Sequence, residues 1–212
     1  MKKRGIIVLS TIFLITIVTA ISLGVSASTE KSIATIGEYK ISESTLKTYV
    51  ILSSADCDQG DTIEQSVKMY AKAQIAADEI SGTTYDISQN YKKELLRLEE
   101  KNFERDYEAN IALCRQSGIS REELIRAVVT SKFNILVEGR HFSLVIDRYM
   151  EHEKSLGIER EYTADELTKI YENHIDKRVD ELEFVSVNNE KLKAISSAVS
   201  LSPATIRGTT YD

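Results

Sequence analysis

Apolar residues recur along this chain in two periods, and the change from one to the other marks out its elements. Between Ser32 and Ile41 they alternate with polar residues around Gly37-Glu38, which predicts two short strands joined by a tight turn. At Ser42 the spacing becomes helical. Leu46, Tyr49, Val50 and Ser53 fall on one face, with Ser42 as N-cap and Glu43 at the positive end of the dipole, so the first helix is expected from Ser42 to about Ala55. A turn-rich stretch, Asp56 to Gly60, precedes a capping-box pair, Asp61 and Glu64, and a second stripe through Val67, Tyr70, Ala71 and Ile75 that ends near Ser81-Gly82.

From Asp86 the stripe Leu96, Phe103, Tyr107, Ile111, Cys114 predicts a single helix of about thirty residues, stopped by Gly118. Ser120 with Glu123 restarts the chain as a second capping box. The positions Leu124, Val128, Ile135, Phe142, Ile146 and Tyr149 then predict another long helix, running to about Glu153. Thr163 with Glu166 opens a helix of about four turns through Leu167, Ile170, Tyr171 and His174. Leu182 to Val187 is rich in β-formers and reads as a strand, and a last helix is expected from Asn189 to Val199. The fold class that follows is mostly α, of the α+β kind: long helices with a small sheet formed by the N-terminal hairpin and the strand near the C-terminus. A single proline, Pro203, and nine glycines fit long helices better than many short strands.

The beginning of the chain changes the picture. Lys2, Lys3 and Arg4 precede a dense apolar run, Ile6 to Val25, and Val25-Ser26-Ala27 offers small residues for cleavage after Ala27. At about 20 residues the run also reaches the length of a membrane-spanning helix, so a cleaved signal peptide and a retained N-terminal anchor both stay open. Either one places the remainder outside the cytoplasm, at the cell membrane or secreted. The domains expected are therefore residues 1–29 as signal or anchor, 30–200 as the helical domain and 201–212 as a flexible tail. An apolar fraction of 42% and a charged fraction of 28% suit a chain with a real core. A net charge of −6, more acidic still without the three leading basic residues, argues against nucleic acid as a partner. Cys57 and Cys114 either pair in an oxidising compartment or remain two unpaired thiols.

Catalytic patterns are missing. His141, His152 and His174 show no metal-ligand spacing, although His141 and His152, eleven apart, share a helix face. They read as ordinary surface or groove histidines. No nucleophile elbow, phosphate loop or dinucleotide fingerprint occurs, and the pairs Glu99-Glu100 and Glu122-Glu123 look like solvated helix faces and starts. No catalytic residue, metal or other cofactor is expected. Phe103, Tyr107, Phe142 and Tyr149 read first as core contacts between the two long helices. Alternatively, some of them line an exposed apolar groove that holds unfolded segments.

Two motifs carry a resemblance. Ile33-Ala-Thr-Ile-Gly-Glu-Tyr-Lys-Ile-Ser-Glu-Ser-Thr-Leu46 resembles the opening strand and first helix of SurA/PrsA-type chaperones. Thr163-Ala-Asp-Glu-Leu-Thr-Lys-Ile-Tyr-Glu-Asn173 is similar to the closing helix that in this family precedes a strand and a parvulin isomerase domain. Ile36 stands where the family usually has asparagine, and the stretch after Val187 is too short for a parvulin domain. The resemblance implies a SurA N-like chaperone module without prolyl isomerase activity, whose partners are unfolded or exported polypeptides. The rival expectation is a membrane-anchored adaptor or sensor that binds one specific protein.

Overall fold

A computed structural model describes residues 31–54 and 62–198. The N-terminal apolar segment, the turn holding Cys57 and Asp61, and the tail from 199 lie outside the described residues.

The chain opens with the hairpin expected from its alternation. Strand β1 (Ser32–Ile36) and strand β2 (Tyr39–Ser42) pair antiparallel, with Ile36 opposite Tyr39 across the two-residue turn Gly37-Glu38. Gly37 takes φ +54, and a side chain there would meet Leu182 Cδ2 at 2.7 Å, so the position asks for glycine twice over. Helix α1 (Glu43–Ser54) follows at once, its first turn held by the Thr45 amide donating to Ser42 Oγ at 3.2 Å. Helix α2 (Thr62–Ile80) ends ahead of Gly82, which is left-handed at φ +70.

The expected thirty-residue helix is broken in two. Asp86 caps the turn instead of starting a helix, accepting from the amides of Gly82 and Ile87, and Ser88 is the N-cap of α3 (Gln89–Arg105). At Asp106 the backbone leaves the helical region, and α4 (Tyr107–Ser117) begins. Asn110 compensates the break locally: its buried side-chain amide donates to the Phe103 carbonyl at 3.1 Å, replacing an α-helical bond that the break removes. The apolar stripe runs through this kink, and period alone therefore gave no sign of it.

Gly118 and both downstream capping boxes stand as the sequence suggests, at Ser120/Glu123 and Thr163/Glu166. Helix α5 (Arg121–Ser155) spans about 50 Å at helical rise and packs against α1, α2, α3, α4 and α6 (Ala164–Asp180). Because neighbours cover it on more than one side, its buried face is wider than the expected stripe. Ile125, Val129, Val137 and Leu144 are buried, whereas Ile135, a member of that stripe, is exposed.

After α6 the chain returns to the hairpin. Strand β3 (Phe184–Ser186) pairs antiparallel with β1, Thr35 opposite Val185, giving a three-stranded sheet in the order β2-β1-β3. Helix α7 (Asn189–Ala198) then packs beside α1 and α2. The molecule is thus mostly α with a small antiparallel sheet, seven helices being present among the described residues. One core cluster joins the sheet to α1, α2, α6 and α7 through Ile36, Ile41, Val50, Ile75, Ile175 and Ile195. A second, around Phe103, Cys114 and Ile125, fills the space between α3, α4 and α5.

Candidate functional site

The four aromatic positions weighed as a client surface do not share one. Phe103 is 3% exposed, inside the α3–α5 cluster, with its ring 6.2 Å from that of Tyr107, which is exposed. Phe142 packs against the other core cluster and lies 5.3 Å from the ring of Tyr171. Tyr149 is half-buried, edge-on to Tyr162 at 5.8 Å. The space around Phe103 is filled by Leu95, Leu124, Ile125 and their apolar neighbours. What remains beside Phe103 is a narrow gap of about 20 Å³, and the larger cleft, about 510 Å³, is walled by Arg97, Glu100, Lys101, Glu104 and Arg121 and is charged.

Exposed apolar side chains occur singly along the helices and at their ends, as at Ile135 and Leu156, and three of them fall within four residues at the open edge of the sheet. β3 pairs only through β1 among the described residues, and Phe184 (43%), Val185 (46%) and Val187 (63%) are all exposed along it. Exposed carboxylates flank this strip: Asp180, Glu181 and Glu183 before it and Glu190 after it. The strand is anchored firmly on its other side, where Gly37 N donates to Glu183 O and Val187 N to Ile33 O, each at 2.9 Å. A short edge with exposed apolar side chains and an acidic border is a place where an extended basic and apolar segment can add as a further strand.

A second constellation lies where α2, α5 and α6 meet. Glu79, near the end of α2, accepts at the same carboxylate oxygen, Oε2, from His141 Nε2 of α5 at 3.0 Å and His174 Nε2 of α6 at 3.1 Å. His141 is fully buried and places its other nitrogen 3.3 Å from the Tyr171 hydroxyl. The guanidinium groups of Arg178, 3.4 Å from Oε1, and Arg148, 3.9 Å from Oε2, border the site on its solvent side. Burial pushes the Glu79 carboxyl upward, but the hydrogen bonds and charges of the two histidines outweigh it, and the group is held below its ordinary value. Burial lowers the affinity of His141 for its second proton, against the pull of Glu79. The Tyr171 phenol is raised by burial and by the carboxylates of Glu138 and Glu79, so it stays protonated.

No family model, curated protein or solved structure matches this chain.

The histidine–glutamate cluster was hidden from sequence reasoning because its members are 62 and 33 residues apart on three helices. One hint existed: His141 falls four residues after Val137 and three before Leu144, on a buried apolar face, which is an unusual place for an imidazole without a partner. The β3 edge was nearer to hand, since Phe184, Val185 and Val187 stand in a segment already read as a strand. What the sequence did not disclose is that, among the described residues, no strand pairs with its outer side. Among the described residues no helix is long and apolar enough to cross a membrane.

Proposed function

We propose that this chain is an extracytoplasmic holdase, a SurA N-like module that binds unfolded exported polypeptides and has neither prolyl isomerase activity nor another catalytic function. The observation that carries the reading is the pairing of β1 with β3. The strand after the Thr163 helix returns to the N-terminal hairpin, in the order that the two family-like motifs imply, and leaves an exposed apolar edge at Phe184, Val185 and Val187. A client segment adds to that edge through backbone hydrogen bonds, which are blind to sequence, while the apolar strip and acidic border favour apolar segments with basic flanks. The segment 1–29, as a cleaved signal or a retained anchor, delivers the domain to the membrane's outer side.

Light scattering by several unrelated unfolding proteins tests the reading. The full chain should suppress their aggregation, and the double variant Val185→Lys/Val187→Lys should need several-fold more protein for the same effect, with an unchanged unfolding midpoint. Failure to suppress any client, or saturable binding to one native protein with indifference to unfolded chains, would favour an adaptor and overturn the proposal.

A further inference from the structure

The junction of α2, α5 and α6 has a property that client binding does not use: three metal-ligating side chains converge there from three different helices. We propose that Glu79, His141 and His174 form a binding site for one divalent transition-metal ion of the zinc type, ligated by Glu79 Oε2, His141 Nε2 and His174 Nε2. The three donor atoms lie within 4.8 Å of one another, and the two imidazole nitrogens are 3.0 and 3.1 Å from the same carboxylate oxygen. Donors held at about 2.0–2.2 Å around a tetrahedral zinc ion are spaced by roughly 3.3 Å, so each imidazole needs to part from the carboxylate oxygen by only a few tenths of an ångström, with the two imidazole nitrogens, within 4.8 Å of each other, settling to the same spacing.

Burial grades across the site in the sense a metal needs. His141 is fully enclosed, the Glu79 side chain is 17% exposed and that of His174 is 35% exposed, so two ligands are fixed and the third stands at the entrance. That entrance leaves a fourth position to water. The outer shell also fits. When Nε2 of His141 turns its lone pair to the ion, its proton resides on Nδ1, and the Tyr171 hydroxyl 3.3 Å away, which donates or accepts according to the tautomer, serves as its acceptor. A neutral imidazole gives up its Nε2 proton and takes one at Nδ1 by exchange with solvent, with no net release, while a doubly protonated one releases a single proton; two hydrogen bonds to Glu79 give way to three coordinate bonds.

The groups facing the site include two cations, Arg148 from α5 and Arg178 from α6. Their side chains are 56% and 52% exposed and can swing outward, yet their charge weakens the attraction for a divalent ion. This sets a signature that chance binding to surface histidines lacks: removing the Arg148 charge should tighten the site.

Zinc chloride titrated into the metal-free full chain, followed by calorimetry and by thermal unfolding, tests the proposal. The expected result is one ion per chain with a raised unfolding temperature, at least tenfold weaker binding in His174→Ala and in Glu79→Gln, unchanged binding in His152→Ala and tighter binding in Arg148→Gln. Magnesium should not reproduce the shift. His174→Ala changes a partly exposed side chain, and its unfolding temperature without metal reports whether it folds. Should the metal-free chain fail to bind zinc, or should His174→Ala and Glu79→Gln bind it as the parent does, the site does not exist.

Discussion

At the scale of single residues, the strongest constraints are those where backbone geometry and a side chain agree. Gly37 has a positive φ under the Leu182 side chain, and Gly37→Ala is expected to destabilise the fold by about 1 kcal/mol from backbone strain alone, read as a lowered urea midpoint. Glu123 closes the capping box of α5, where the Ser120 amide donates to its Oε2 at 2.8 Å. That bond, with the nearby Lys47 charge, outweighs burial and lowers the carboxyl below its ordinary value of 4.5. A carboxyl lowered on folding stabilises the native state fully above the unfolded value and ceases to do so as pH falls through the folded one. Glu123→Gln should therefore cost about 1 kcal/mol at neutral pH, and its deficit against the parent should vanish in acid, as urea unfolding at both conditions would reveal. If the deficit stayed constant with pH, the carboxylate charge would not be what holds this cap.

At the scale of elements, capping chemistry proved the most legible signal and apolar periodicity a weaker one. Ser42, Ser120 and Thr163 each begin or cap a helix where their hydroxyl and the residues after them say so, because capping is local. The break at Asp106 was illegible for the converse reason: the stripe carries on through Phe103, Ile111 and Cys114, while the compensation comes from the Asn110 side chain reaching back to the Phe103 carbonyl. Asn110→Leu keeps the volume but leaves that carbonyl without its partner, and about 1–3 kcal/mol of stability should be lost, measured by denaturant unfolding. A smaller effect than an ordinary surface substitution would mean that the kink is imposed by packing of α4 on α5 instead. Exposed Ile135 follows from the same limit. A helix touched by several neighbours hides more than one face, and a single stripe does not say which.

At the scale of the whole molecule, closure of the chain on itself was legible, and the surface that closure leaves open was not. Residues 33–41 and the strand before Asn189 share β-forming patterns, and two strands must pair with something. Whether the long helices would part to form a groove depended on side-chain volumes: Phe103, Leu124 and Ile125 fill the space, so Phe103 belongs to the core, while Phe184, Val185 and Val187 stay accessible. The Glu79–His141–His174 junction is likewise a property of packing three helices together, beyond the reach of any short motif. The measurement that bears most directly on the account is photo-crosslinking to unfolded clients from a probe at position 187, compared with one at position 103. The account predicts capture of many unrelated unfolded chains from 187 and next to none from the buried 103; equal capture from both, or none from 187, would contradict it.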